Sequence, residues 1–285
     1  MVNMSTVQHL LDKALSHGIG RLESQMLTLL AMGQNPNNRA WLLSHDQDGV
    51  PDQALSIFTA LLNRRCAGEP MAYLTGRQEF FGLDLLVTPD VLVPRADTET
   101  LVEWGLEVLA SGLASIDKPA VVDLGTGSGA VALAIAQGKP NATVTATDQS
   151  QAALAVARNN AEKLSLRVQF EMGSWWEAVH TSPLFHLALS NPPYISSDDE
   201  HLPALRHEPL TALTAGRDGL DDIRAIISGA PAHLAPGGWL LIEHGYDQSG
   251  AVRDLMVDAG FQSVTSRMDL AGIERCTGGH LASPS

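Results

Sequence analysis

From residue 118 onward, short apolar runs alternate with helix-forming stretches, and this alternation restricts the fold more than any other feature of the chain. "AVVDLG", "ATVTATD", "RVQFEM", "FHLALS" and "GGWLLIEHG" read as buried strands. Between them "AVALAIAQ", "SQAALAVARNNAEKL" and "DGLDDIRAIISGAPAHL" read as helices, the second N-capped by Ser150. A helix at 247–259 and strands near 261–267 and 271–277 close the chain. Such alternation buries a mainly parallel sheet between two helical layers. The expected class is α/β, a doubly wound, mostly parallel, seven-stranded Rossmann-like sheet. The last two strands are too close in sequence for a crossover, so an antiparallel edge is expected there.

Upstream the pattern differs. "RLESQMLTLLAMG" places Leu22, Met26, Leu29 and Leu30 on one helical face, and "DQALSIFTALLNRR" does the same with Leu55, Phe58, Leu61 and Leu62. Residues 1–76 therefore read as a small helical bundle suited to binding a substrate protein, since they carry no phosphate loop and no metal-ligand cluster. Residues 77–96, with "EFFGLDLLVTPDVLVP", read as a β-hairpin linking that bundle to a main domain at 97–285. The formal charge of −14 weighs against nucleic acid as a direct partner, because phosphate contacts call for a basic face. Cys66 and Cys276 form no CxxC pair, and the ten histidines show no HxH or HxxxH spacing, so no metal site is expected. The N-terminus lacks an apolar signal region, and the longest uncharged stretch, near 124–138, is too short to span a bilayer. The expectation is a cytoplasmic protein with no membrane partner.

"DLGTGSGA" follows a strand and opens a helix. Gly125, Gly127 and Gly129 let the backbone turn sharply and a ligand approach it closely. Nineteen residues after Gly129, at the end of the next strand, Asp148 can accept both hydroxyls of a ribose. The loop spacing is G-x-G-x-G, not the G-x-G-x-x-G that aims a helix at a pyrophosphate. Asp123 in front of it suits a nucleoside ligand with an amino group and no phosphate, as in S-adenosyl-L-methionine; its other reading is a helix or loop cap.

"SNPPYI" ends the fourth strand at the carboxyl edge of the sheet, where open α/β sheets bind ligands. The two prolines stiffen the loop and donate no N–H bonds. The Asn191 side-chain carbonyl and the Pro192 main-chain carbonyl form two acceptors at fixed separation, matching the two N–H bonds of a planar –NH₂ group. Tyr194 adds an aromatic face for the flat part of that group. Holding both hydrogens favours the pyramidal, more positive nitrogen that develops during attack on a sulfonium methyl.

Together "GTGSGA", Asp148 and "SNPPYI" resemble class I S-adenosylmethionine-dependent methyltransferases acting on planar nitrogens, a group that includes adenine, guanine and glutamine N-methylases. "EPMAYLTGRQEFFG", "VLVPRADTETLVE", "HEPLTALTAGRDGLD", "GGWLLIEHGYDQ" and "DLAGIERCTGG" narrow the resemblance to the peptide-chain release factor glutamine N5-methyltransferase family. It runs to about residue 279, the bundle matching only loosely. The resemblance implies methyl transfer to the glutamine of the Gly-Gly-Gln loop in class 1 peptide-chain release factors, with S-adenosyl-L-homocysteine as product. It implies cofactor contacts from Gly125, Thr126, Gly127, Ser128, Gly129, Asp148, Trp175 and Asn191. The catalytic and substrate-binding residues it implies are Asn191, Pro192, Pro193 and Tyr194. In "GSWW" the match falls on Trp175 in preference to Trp176. Where the family usually has P-R-P-E-T-E, this chain has Pro94, Arg95, Ala96, Asp97, Thr98 and Glu99. The alternative is an N-methyltransferase acting on an exocyclic amine of a nucleic-acid base.

Overall fold

A computed structural model describes residues 5–179 and 184–283. The chain forms two compact units, the first ending at Arg77 and the second beginning at Gln78.

The first unit holds α1 (Val7–Ser16), α2 (Arg21–Ala31), α3 (Arg39–His45), α4 (Asp52–Cys66) and α5 (Met71–Thr75). Thr6 caps α1 and Asn38 caps α3, each accepting the backbone N–H three residues further on. Leu10, Leu27, Phe58 and Leu62 are fully buried in its core. The α4 face is the expected one, with Phe58, Leu61 and Leu62 inside. The α2 face agrees with the expected one only in part: Leu29 is buried as expected, but Leu22 is exposed, and Ser24, Leu27, Thr28 and Ala31 are buried as well. Ser24 and Thr28 can go inside because each hydroxyl donates to a carbonyl one turn back, Thr28 to Ser24 O at 2.8 Å.

β1 (Arg77–Phe80), which starts at the last residue of the first unit, pairs as a hairpin with β2 (Leu83–Leu86). Phe81 and Gly82 both have positive φ, +50° and +75°, as a tight two-residue hairpin turn requires. Glu99 Oε1 accepts the Phe81 N–H at 3.0 Å. The stretch expected to be a linker is packed into the second unit, with Phe80, Leu83 and Leu85 buried among Leu101, Val102 and Leu133. Its apolar residues alternate, so one face of the hairpin needs a core to cover it.

Then follow α6 (Glu99–Ala110), β3 (Ala120–Leu124), α7 (Ala130–Gly138), β4 (Thr143–Asp148), α8 (Gln151–Leu164), β5 (Gln169–Met172), β6 (Phe185–Ser190), α9 (Asp221–His233), β7 (Leu234–Glu243), α10 (Ser249–Asp258), β8 (Gln262–Met268) and β9 (Glu274–His280). The seven-stranded sheet has the order β5-β4-β3-β6-β7-β9-β8. β3 to β7 are parallel. β9 is antiparallel to both β7 and β8, so the expected antiparallel pairing arises from a last strand inserted one place in from the edge. Successive side chains of β3 face opposite layers: Val121 packs with α6 and α7, and Val122 packs with α9 and α10. α7 is apolar all round and buried from Ala130 to Ala136, which holds the start of that helix rigidly under the sheet edge.

Register sets the site. Leu124 pairs with Thr147 on one side and Ser190 on the other, and Ser190 pairs with Ile242. The residues immediately following these positions, Gly125, Asp148, Asn191 and Glu243, therefore stand along one edge. Among the described residues no helix is long and apolar enough to cross a membrane.

Candidate active site

At the carboxyl edge of the sheet lies a cavity of about 300 Å³. Gly125, Thr126, Gly127, Ser128, Asp148, Trp175, Asn191 and Pro193 all line it, as does Asp123. Gly125 and Gly127 have φ of +75° and +55°. A side chain on Gly125 would press on the Trp175 ring at 3.0 Å, whereas one on Gly127 would enter open space. The loop thus offers bare backbone to a ligand at Gly127. Gly129, the last of the expected loop contacts, is not among the residues that line the cavity. With φ at +86° it caps α7, and a Cβ there would lie 3.2 Å from that of Ala157, so it serves helix packing.

Asp148 holds the loop with both oxygens. Oδ2 accepts the Gly127 N–H at 2.9 Å and Oδ1 accepts the Ser150 N–H at 2.8 Å. Burial pushes its pKa up, and these two backbone donors pull it down. Each carboxylate oxygen keeps a second lone pair for a hydroxyl in the cavity. Asp123 fulfils its cap reading while still lining the cavity. Its Oδ2 accepts from the Thr126 hydroxyl at 2.6 Å and from the Ala132 N–H at 3.1 Å. Burial, opposed by those bonds and reinforced by nearby Asp148, raises its carboxyl to about 7. A cationic group in the cavity would favour its ionised form.

The two tryptophans separate cleanly. Trp175 lies on the cavity wall and donates its Nε1–H to Asp222 at 3.1 Å. It holds a left-handed φ of +46°, unusual for a bulky residue and of a kind that gathers at ligand sites. Trp176 is buried, stacks on His233 at 4.7 Å and donates to Ile226 O.

Pro192 and Tyr194 line a second hollow of about 90 Å³, together with Leu92, Arg95, Leu205 and Leu213. Asn191 lines both hollows and stands where they meet. Its Nδ2–H donates to Thr98 Oγ1 at 3.0 Å, which leaves Oδ1 as its acceptor for a ligand. The loop is braced from several elements. Ser190 donates to Leu124 O at 2.7 Å, Gln248 Nε2 donates to Tyr194 O at 3.0 Å, and the Ala215 N–H donates to Ile195 O at 3.0 Å. Gly219 must lack a side chain, because a Cβ would meet Tyr194 O at 2.1 Å. Arg95 reaches across to Glu208 at 3.1 Å. Asp97 pairs with Arg275 at 3.6 Å.

A family model described as "Methyltransferase small domain" matches residues 98–208, and one described as "PrmC N-terminal domain" matches residues 13–76. The "Release factor glutamine methyltransferase" of Bordetella pertussis is 50% identical over 93% of this chain and 96% of its own length. This chain belongs to the release factor glutamine methyltransferase family. The release factor glutamine methyltransferases of Burkholderia pseudomallei and Pseudomonas aeruginosa are 48% and 45% identical, over 91% and 92% of this chain and 92% and 93% of theirs. A methyltransferase structure from Pyrococcus furiosus matches 78% of this chain and 99% of its own with a TM-score of 0.53; at 19% identity it speaks for the fold alone. The protein is a methyltransferase of the seven-stranded α/β class.

In this family member three polar side chains escape a motif reading. Thr98 sits in the "PRADTE" stretch but does its work on Asn191. Asn160 is fully buried on α8; its Oδ1 accepts the Leu86 N–H at 2.7 Å, and its Nδ2 donates to Leu86 O and Ser128 O. It stitches the hairpin to the glycine loop. Glu243 ends β7, 1% exposed, with the Tyr194 hydroxyl 3.4 Å from Oε1. Counting strand ends would have found Glu243, since "GGWLLIEHG" stops level with "SNPPY". Nothing local in the sequence marks Asn160.

Replacing Asp148 with alanine is expected to weaken cofactor binding by about 1–3 kcal/mol, the scale of lost charge-assisted hydrogen bonds. Part of that loss comes from freeing the Gly127 and Ser150 N–H groups. Titration calorimetry with S-adenosyl-L-homocysteine measures it; an unchanged affinity would place the ribose elsewhere.

Proposed function

We propose that the protein transfers a methyl group from S-adenosyl-L-methionine to the side-chain amide nitrogen, N5, of the glutamine in the Gly-Gly-Gln loop of a class 1 peptide-chain release factor. The observation that carries this reading is Asn191, standing between two hollows with its –NH₂ turned to Thr98, to which one N–H donates, and its carbonyl left to accept. The larger hollow fits the cofactor on its own residues. Gly127 offers bare backbone, Asp148 offers acceptors for a ribose diol, and buried Asp123 offers a carboxyl for an ammonium. When bound, S-adenosylmethionine supplies a sulfonium methyl open to attack by a nitrogen lone pair.

The smaller hollow receives the amide. Asn191 Oδ1 and the Pro192 carbonyl accept its two N–H bonds, and the Tyr194 ring covers its flat face. Leu92, Leu205 and Leu213 make the surroundings apolar, which strengthens these bonds and keeps competing water out. The carbonyl dipoles point at the nitrogen where positive charge develops, so they stabilise the transition state more than the neutral amide. The proton leaves a methylated, positively charged amide readily, so no strong base is required.

The names of the relatives support a release factor over a nucleic-acid base as acceptor. Mass spectrometry after incubation with S-adenosylmethionine tests it: one added methyl on the Gly-Gly-Gln peptide of a class 1 release factor is expected. Methylation of RNA or DNA with an unmodified release factor would overturn it.

A further inference from the structure

A glutamine enters the smaller hollow on a length of main chain, and the carbonyls of that chain arrive with it. Glycine has no side chain to cover the carbonyl beside it, so one that lies against an apolar rim must find a donor there. Few side chains on the rim can supply one. Asn191 donates to Thr98 and turns its carbonyl to the target amide, and the Tyr194 hydroxyl lies 3.4 Å from Glu243 Oε1. Leu92, Leu205 and Leu213 carry no polar side-chain atom. That leaves Arg95. Of the described residues that line the smaller hollow it alone is charged, and it lines the larger hollow as well.

The surroundings of Arg95 fix how it presents its donors. Its side chain is 42% exposed, whereas that of its partner Glu208 is 7% exposed. Nη2 donates to Glu208 Oε1 at 3.1 Å, and Glu208 Oε2 accepts the Val93 N–H at 3.4 Å. One carboxylate therefore holds the guanidinium and the backbone two residues before it, from 113 residues further along the chain. An ion pair this open on one side adds little to stability, so what it supplies is direction. A guanidinium is planar and carries five N–H groups in a fixed fork. One of them is turned to Glu208, and water held by the others in the free enzyme can be exchanged for a carbonyl.

We infer that Arg95, aimed by Glu208, is a substrate-binding residue that donates to a main-chain carbonyl beside the target glutamine. The side-chain carbonyl of that glutamine is the poorer partner on chemical grounds. As the nitrogen attacks, its lone pair leaves conjugation with that carbonyl, and the oxygen loses negative charge. A donor there would bind the ground state better than the transition state and slow the reaction. A main-chain carbonyl keeps its charge throughout, so a bond to it lowers KM and leaves kcat alone. Glu208 also balances the guanidinium charge near a nitrogen on which positive charge develops. The inference rests on the glutamine-acceptor reading above.

The test uses the full-length enzyme with saturating S-adenosylmethionine and a class 1 release factor as acceptor. Arg95→Met keeps an apolar stem and removes the N–H groups. It is expected to raise the acceptor KM by about ten- to hundredfold, the range of one charge-assisted hydrogen bond, with kcat within about threefold of wild type. Arg95→Lys keeps the charge, loses the fork and should fall between the two. Glu208→Gln keeps an oxygen for Arg95 and should raise KM by a smaller factor. Affinity for S-adenosyl-L-homocysteine and the urea midpoint should stay near wild type in Arg95→Met.

A second measurement addresses the carbonyl itself. In a short Gly-Gly-Gln peptide, the peptide bond on either side of the glutamine is replaced by an ester, whose carbonyl is a weaker acceptor. One of the two esters should lower wild-type kcat/KM by about three- to tenfold, the scale of one weakened hydrogen bond, and should have no further effect in Arg95→Met. An ester also removes an N–H, but that loss is the same in both enzymes. A wild-type acceptor KM in Arg95→Met would overturn the inference. So would a fall in kcat at unchanged KM, a loss that follows cofactor affinity or stability, or ester effects of equal size in wild type and Arg95→Met. If wild type puts no methyl on a release factor, the proposed function fails and this inference falls with it. A methylated release factor with an unchanged KM in Arg95→Met sinks the inference alone.

Discussion

Asn191→Ala is expected to slow methyl transfer by about 10²–10³-fold at saturating cofactor and release factor, the loss found when a preorganised hydrogen bond at a reacting centre is removed. Alanine deletes the Oδ1 acceptor and also leaves Thr98, a buried residue, without the Nδ2 donor it accepts from. The fold should survive, because the loop keeps its bonds from Ser190, Gln248 and Ala215. Cofactor affinity should change far less than turnover. Asn191→Asp separates the two functions of the side chain. Aspartate retains an acceptor for the target but cannot donate to Thr98. The Thr98 hydroxyl would then have to donate to the introduced carboxylate where it now accepts from the amide. Partial activity for the aspartate variant and almost none for alanine is the expected order. Near-wild-type single-turnover rates in both variants would remove this loop from the reaction.

The parts of this site that local sequence reveals are those made by backbone conformation. Gly125 and Gly127 occupy left-handed angles that only glycine adopts without strain, and two consecutive prolines can do little except form a stiff loop. Strand ends follow from apolar runs, so Asp148 and Asn191 could be set on one edge by counting. What stayed hidden depends on contacts between distant segments. Asn160 meets Leu86 across 74 residues and Asn191 meets Thr98 across 93. A motif containing Thr98 does not say whether its hydroxyl faces the ligand or another side chain. Gly129 carries a packing requirement that the motif does not display: α8, through Ala157, lies close behind it and leaves little room for a side chain. Burial misleads too where polar side chains satisfy their own backbone, and on α2 Ser24 and Thr28 face inward while Leu22 faces water.

Removing the first unit, so that the chain begins at Gln78, is expected to leave cofactor binding intact and reduce methylation of intact release factor by a factor on the order of 10²–10⁴, the range that a second linked contact contributes. Two features motivate this. Both hollows are lined entirely from residues 89–213, and each unit has a hydrophobic core of its own, so the reacting groups do not depend on the bundle for their residues. A glutamine between small residues also offers too little surface to distinguish one protein from another, since selective complexes bury far more. Charge divides the same way. Residues 1–77 carry six basic and six acidic side chains, so the whole net charge of −14 lies on residues 78–285. A neutral bundle can approach an acidic partner that the second unit would repel. We propose that residues 1–76 bind a part of the release factor away from its glutamine loop. Calorimetry with S-adenosyl-L-homocysteine checks that the truncated chain is folded, and a short Gly-Gly-Gln peptide serves as the control acceptor. The full-length and truncated enzymes should methylate that peptide equally slowly. If the truncated enzyme modified intact release factor at the full rate, the bundle would have no part in recognising it.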